Sequence, residues 1–176
     1  MAIHRPRAIL CAYPRKIRGR NNVGTRQEAV LCTLHRVVNP NHCIEEWIDD
    51  RVSVILYERF YNWEIMAANY IVKNTPFGNE FLRRWAEQEF KQPPSWNGYD
   101  QGGLMMLLLE LLVPDAVKEY AVCNEYWRTA SNYKTYMATV MCVRLALGAT
   151  MVWPDKVCIY RKGEAFARDG WITNEE

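Results

Sequence analysis

The chain has 176 residues, of which 49% are hydrophobic, and a formal net charge of +2. This length suits one domain with a buried core, and the nearly balanced charge gives no case for a general nucleic-acid-binding surface. No run of 18 apolar residues occurs, so the sequence predicts no membrane-spanning helix.

The charge is unevenly placed, because residues 1–27 contain seven Arg or Lys and no Asp or Glu. A segment of this kind fits a disordered arm, a targeting sequence or a gene-model artefact. We predict a basic, irregular N-terminal segment over residues 1–36 and an α/β domain over residues 37–176, with an incomplete nucleotide-binding half.

The six cysteines include no C-x-x-C pair, and the three histidines share no ligand spacing, so a structural zinc site is not predicted. An even number of cysteines permits disulfides in a secreted chain. Buried, unpaired thiols are the simpler prediction for most of them. The aromatic fraction of 12% fits either a large core or a carbohydrate site, where flat rings cover the apolar face of a sugar.

Short apolar runs predict four strands. A short helix with Trp47 on its inner face is predicted over residues 43–50, before the second strand. The second run is nearly continuous, as expected for a strand that is covered on both faces. The strands are predicted over residues 28–34, 51–57, 67–72 and 157–160.

Three longer helices are predicted. Thr75 and Pro76 open an amphipathic helix whose apolar stripe runs to Phe90. Asp100 is the predicted N-cap of a buried helix over residues 101–112. Ser131 is the predicted cap of a helix over residues 132–147, which ends at Gly148. The predicted inner face of this last helix comprises Tyr133, Tyr136, Met137, Val140, Met141, Arg144 and Leu145. Helices interleaved with strands predict an α/β fold.

Asp100 and Gln101 are the first candidate site residues. At the start of a helix that faces a cleft, a carboxylate can accept a hydrogen bond from one sugar hydroxyl and an amide can bind a second. The alternative is that Asp100 serves only as a helix cap.

The turn over residues 58–64 is the second candidate, because Arg59, Asn62, Trp63 and Glu64 crowd the end of a strand. An Arg beside Trp and Glu suits a phosphate or a sugar hydroxyl. The alternative is an internal Arg–Glu pair with Trp63 in the core. The sequence has no P-loop, G-x-G-x-x-G, G-x-S-x-G or kinase signature, which excludes the enzyme classes that carry them.

Residues 69–74, the helix containing Trp85, and the Tyr-Asp-Gln run at 99–101 together resemble the galactosyl-, mannosyl- and xylosyltransferases. Those are glycosyltransferases of GT-A fold. Including residues 38–40, 57–66 and 166–171, the string is similar to a nematode branch of that group, the DUF273 family. The resemblance covers about residues 37–174. It implies a partial GT-A fold, with a mixed sheet flanked by helices.

The resemblance implies transfer of a hexose or pentose from a nucleotide-sugar donor to a glycan acceptor in the Golgi lumen. Mn²⁺ would bridge the donor diphosphate. Asp100 and Gln101 would line the place where donor and acceptor meet, and the turn with Arg59, together with Asn69, would form neighbouring walls.

The chain departs from that group at its metal ligands. The Asp-x-Asp motif expected before Val38 is replaced by Thr-Leu-His-Arg at 33–36. A C-terminal His ligand and a membrane anchor also have no counterpart, so we expect a truncated glycosyltransferase. The alternatives are a non-catalytic descendant that binds a glycan or a protein, and a small α/β interaction domain.

Overall fold

A computed structural model describes residues 29–33 and 44–166. Five strands form one mixed sheet in the order β1-β3-β2-β5-β4. β2 and β5 are parallel, whereas the other neighbouring pairs are antiparallel. The strands are β1 (Ala29–Thr33), β2 (Val54–Tyr57), β3 (Asn69–Lys73), β4 (Val152–Trp153) and β5 (Val157–Tyr160). The predicted α/β fold is confirmed, and each predicted strand is present.

Four α-helices follow β3, and all four precede β4. They are α1 (Pro76–Gln88), α2 (Tyr99–Leu112), α3 (Val117–Thr129) and α4 (Tyr133–Leu147). Two short 3₁₀ segments, Ile44–Trp47 and Glu89–Lys91, complete the described elements. The helix predicted over residues 43–50 is therefore only a short 3₁₀ turn.

The core lies on both faces of β2, as its continuous apolar run predicts. Val54 and Leu56 contact the larger core, which includes the buried residues of α2 and α4. Ile55 and Tyr57 point to the opposite face, where Phe166 and other residues form a smaller core. Successive side chains of a strand alternate between faces, so a central strand buried on both sides needs apolar residues throughout.

The helix start is as predicted for α1, whereas the cap of α4 is displaced by one residue from the predicted Ser131. Thr75 accepts a hydrogen bond from the Gly78 N–H (3.0 Å), ahead of Pro76 at the first helical position. Asn132 rather than Ser131 caps α4, with reciprocal hydrogen bonds to Thr135. A capping box of this kind satisfies two backbone donors that the helix leaves free.

The prediction that Asp100 caps α2 is wrong. The chain enters α2 through Gly98 and Tyr99, which have φ of +71° and +52°, and Asp100 lies in the first turn of the helix. A different side chain bonds to the backbone here: Asn97 Oδ1 accepts a hydrogen bond from the Tyr99 N–H at 2.8 Å. Glycine populates this left-handed region without a steric penalty.

Helix α3 is an unpredicted element, and a disulfide between Cys123 and Cys142 links it to α4 with a Cα–Cα distance of 5.4 Å. The prediction of unpaired thiols is thus wrong for these two cysteines, while Cys158 is a free, buried thiol as expected.

Several residues predicted to be buried are exposed. Phe90 is 88% exposed, because it lies on the 3₁₀ turn after α1 rather than on the helix. On α4, Tyr133, Met141 and Leu145 are exposed, whereas Tyr136 and Val140 of the predicted inner face are buried. The predictions for residues 1–28, which include most of the basic N-terminal segment, and for residues 34–43 and 167–176 fall outside the described residues.

Candidate functional site

The parallel pairing of β2 with β5 brings the carboxyl ends of two strands to one edge of the sheet. Residues 58–64 follow β2 there, and the segment beginning at Arg161 follows β5. Residues 96–101 and the start of α4 lie beside them, through hydrogen bonds of Gln101 and Tyr133 and ring contacts of Trp96. We call this combined region the carboxyl edge. In open α/β sheets, ligands bind outside the carboxyl ends of the strands.

A buried ion pair organises the turn after β2. The Glu64 side chain is buried, and its Oε2 accepts hydrogen bonds from Arg59 Nη1 (2.8 Å) and Asn62 Nδ2 (2.7 Å). The Glu64 N–H in return donates to Asn62 Oδ1 (3.0 Å). Arg59 and Glu64 therefore neutralise each other inside the turn, and the predicted alternative of an internal Arg–Glu pair is confirmed.

Trp63 is not in the core, contrary to the other half of that alternative, since 48% of it is exposed. The Lys162 ammonium lies 4.0 Å from the centre of its ring, a cation–π contact. The Lys162 N–H also donates to Glu58 Oε2 (3.3 Å). These contacts join the segment after β5 to the turn after β2.

Asn62 connects the turn to α4, because its Nδ2 also donates to the Tyr133 hydroxyl at 3.0 Å. The Tyr133 ring makes an edge contact with Trp96, with ring centres 5.7 Å apart. Trp96 packs at the same time against Tyr136 at 5.2 Å. Residues from three separate segments are thus held in one connected group.

Tyr136 forms the floor of this group and is 1% exposed. Burial raises the pKa of its hydroxyl, and the nearby negative charge of Glu64 raises it further. The hydroxyl makes no well-formed hydrogen bond within the described part of the chain. It lies against Gly98, where an added Cβ would fall 2.5 Å from the hydroxyl oxygen. Only glycine fits between this ring and the start of α2.

Gln101 ties the start of α2 to the segment before β3, since its Oε1 accepts from the Ala67 N–H at 2.6 Å. Its Nε2 is buried and has no partner among the described residues. Asp100 is exposed, and its Oδ1 accepts from the Gln101 N–H at 3.0 Å. The Trp85 indole N–H donates to the Asp100 carbonyl oxygen (3.3 Å). A carboxylate in the first turn also interacts favourably with the helix dipole.

Asn69 does not share this arrangement. Its Nδ2 donates to the Tyr57 hydroxyl at 3.1 Å, and Tyr57 packs against Phe166 in the smaller core. Asn69 therefore faces the side of the sheet opposite the larger core and the helices. Among the predicted site residues, hydrogen bonds join Arg59, Asn62 and Glu64 in the turn that carries Trp63. Asp100 and Gln101 lie at the start of α2, and Asn69 lies on the opposite face of the sheet.

The sequence did not indicate that Trp96, Tyr133 and Tyr136 belong to this edge. Trp96 lies in a loop recognised only by its Gly and Pro content, and Tyr133 and Tyr136 were predicted as parts of a buried helix face. Six aromatic residues of the edge are between 42% and 76% exposed: Phe60, Tyr61, Trp63, Trp96, Tyr99 and Tyr133. Their recurrence at the ends of predicted elements is the signal that could have found them.

No metal site can be built from the described residues, because no three His, Cys, Asp or Glu side chains among them are grouped to hold an ion. Residues 34–36, where the resemblance expects acidic ligands, lie outside the described ranges. The described residues therefore offer no group of ligands for the expected Mn²⁺. No reaction step is derived through that ion. No helix in that part is long and apolar enough to cross a membrane.

A model of the family described as "Protein of unknown function, DUF273" matches residues 26–176. The chain belongs to the DUF273 family. The match includes the whole carboxyl edge, so all the candidate site residues lie within the DUF273 region. No curated protein and no solved structure matches the chain.

Proposed function

We propose that this DUF273 chain carries the acceptor side of a GT-A type glycosyltransferase, which transfers a hexose or pentose from a nucleotide-sugar to a glycan. The observation that carries the proposal is the grouping of exposed aromatic rings with fixed amide and carboxylate groups at the carboxyl edge. A sugar needs both kinds of partner. Its hydroxyls require hydrogen bonds, and its apolar C–H face is attracted to the negative face of an aromatic ring.

Asp100 is the proposed general base. Asp100 is exposed at the start of α2, where its carboxylate can accept the proton of the attacking acceptor hydroxyl. The acceptor oxygen then forms a bond to the anomeric carbon of the donor sugar, while the bond from that carbon to the diphosphate breaks and the nucleoside diphosphate leaves. The proton stays on Asp100 until the product departs.

Gln101 supplies donors on the same wall, because its Nε2 has no partner among the described residues and an amide nitrogen can donate two hydrogen bonds. Glu64 and Arg59 hold the turn in shape rather than reacting, since each satisfies the other. Asn62 fixes this turn against α4, and Trp63 presents its ring at the surface of the turn.

The Cys123–Cys142 disulfide supports residence in the secretory pathway. Structural disulfides form and persist in oxidising compartments and are rare in the cytosol. The glycan-modifying reactions of the Golgi lumen take place in such a compartment, so the disulfide and the proposed activity agree.

The experiment incubates the chain with UDP- and GDP-sugars, Mn²⁺ and a mixture of glycan acceptors, and measures the released nucleoside diphosphate and the product mass. Asp100→Asn should reduce turnover by about 100-fold or more, the usual contribution of a general base. Asp115→Asn is the matched control, because Asp115 is also exposed but lies beyond the other end of α2. The proposal fails if no donor is consumed, or if Asp100→Asn is as active as the unaltered chain.

A non-catalytic glycan-binding descendant is the second candidate. It is favoured by the closed Arg59–Glu64 pair, which leaves the turn after β2 suited to neutral ligands rather than to a diphosphate. In that case a glycan raises the melting temperature of the chain, while nucleotide-sugars at millimolar concentration do not.

A further inference from the structure

The exposed aromatic residues of the carboxyl edge form a surface that the transfer chemistry does not itself require. Its members come from the turn after β2, the loop before α2, the first residue of α2 and the first residue of α4. We call the six residues the aromatic rim: Phe60, Tyr61, Trp63, Trp96, Tyr99 and Tyr133. Large apolar groups exposed together mark a binding surface more often than scattered ones do.

Trp96 and Tyr133 of the rim are held in place by contacts with the rest of the fold. Trp96 contacts both Tyr133 and the buried Tyr136. The Tyr133 hydroxyl accepts from Asn62, which is itself bonded to buried Glu64. Phe60 and Tyr61 make an edge contact with ring centres 5.4 Å apart. Rings held in place before a ligand arrives lose little side-chain freedom on binding.

We propose that the aromatic rim binds a glycan chain of linked, neutral pyranose units, and that it does so without nucleotide or metal. This rests on the proposed function only for the kind of ligand, not for the transfer step. Amide and hydroxyl groups stand between the rings at Asn62 and Tyr133, as sugar hydroxyls require. Two cationic side chains beside the rim already interact with the protein, because Arg59 pairs with Glu64 and Lys162 lies over the Trp63 ring. These interactions favour a neutral ligand over an anionic one.

The number of exposed rings suits a ligand of more than one sugar unit. Trp96 and Tyr133 contact each other edge to face, and the other four rings come from the turn after β2 and the start of α2. The second exposed apolar area of the described chain differs in character. It lies on α3 and α4 and is largely aliphatic, with Val117, Val122 and Leu145 among its members. Aliphatic side chains lack the electron-rich ring face that attracts sugar C–H groups.

Isothermal titration calorimetry of the full chain, with EDTA and no nucleotide, tests the proposal. The probes are neutral tetrasaccharides of mannose, galactose, glucose or xylose. At least one should bind saturably, and Trp96→Ala should weaken that binding about tenfold, the value of one stacked ring. Tyr133→Ala should weaken it similarly, and alanine at this first helical position preserves α4.

Tyr126→Ala is the matched control. Tyr126 is an aromatic residue of comparable exposure on α3, and it precedes Trp127, whose indole N–H donates to the Asn97 carbonyl. Successive helical residues point about 100° apart, so Tyr126 points in a different direction from Trp127. Its replacement should leave glycan binding unchanged.

The proposal is overturned if no tetrasaccharide binds at millimolar concentration, or if Trp96→Ala and Tyr133→Ala both fold and bind as the unaltered chain does. The outcome separates the two proposals. Glycan binding without donor turnover supports the rim and refutes transfer. Turnover that is indifferent to both substitutions supports transfer and refutes the rim.

Discussion

Removing the Cys123–Cys142 disulfide should destabilise the protein by about 3 kcal/mol. The bond closes a loop with a sequence separation of 19 residues. Constraining a loop of this length in the unfolded chain is worth about 3 kcal/mol at 25 °C in the chain-entropy description. Because Cys123 is fully buried, Cys123→Ala/Cys142→Ala also loses some packing, so the loss in the free energy of unfolding should be at least that large.

Urea unfolding followed by circular dichroism measures this change. Cys158→Ala is the control, because Cys158 is a buried thiol without a cross-link and its replacement reports the packing loss alone, about 1 kcal/mol. The double variant should lose about 3 kcal/mol more than this control. An equal loss in both variants would refute the assignment of a stabilising cross-link between α3 and α4.

Three further predictions concern folding stability, each measured by urea unfolding. Gly98→Ala should cost about 2 kcal/mol or more, because φ is +71° and the new Cβ would fall 2.3 Å from a buried ring of α4; a neutral result would contradict this packing. The side chain of Arg144 on α4 forms an ion pair with the buried Glu58, so Glu58→Met should cost about 3 kcal/mol by leaving a largely buried guanidinium unpaired. Glu58→Met/Arg144→Met should recover part of that loss, whereas additive losses would argue against the pair. Asp49 has a lowered pKa, chiefly through its hydrogen bond from Arg51, so it stabilises the fold above its unfolded pKa and ceases to do so as pH falls through the lower folded pKa. The deficit of Asp49→Asn at pH 7 should therefore shrink below pH 4, and a deficit independent of pH would exclude this carboxylate as its source.

The elements that the sequence predicted are those whose local signals agree with their packing. Thr75 and Pro76 mark the start of α1, and the continuous apolar run of β2 marks a strand buried on both faces. Helix α3 was missed because only Cys123 and Trp127 of its 13 residues are buried, while Val122 and other exposed apolar residues obscure the period. An amphipathic pattern requires exposed positions to be polar.

The candidate site was predictable as a composition but not as an arrangement. The turn with Arg59 and Glu64 was recognised, and its internal pairing was one of two alternatives. The contacts of Trp96 and Tyr133 depend on how α4 packs beside the loop before α2, which is a tertiary relation between distant segments. The same holds for the disulfide, since cysteine positions in a sequence do not determine connectivity.

The parallel pairing of β2 with β5 also governs the order in which the protein can fold during synthesis. The two strands are separated by about 100 residues, and pairs this distant form slowly because a long loop must close first. Until β5 leaves the ribosome, β2 has one unpaired edge, and all four helices are already translated. A strand edge left open in this way can pair with another nascent chain. The central strand of the sheet is therefore the point at which newly made copies are most exposed to misassembly.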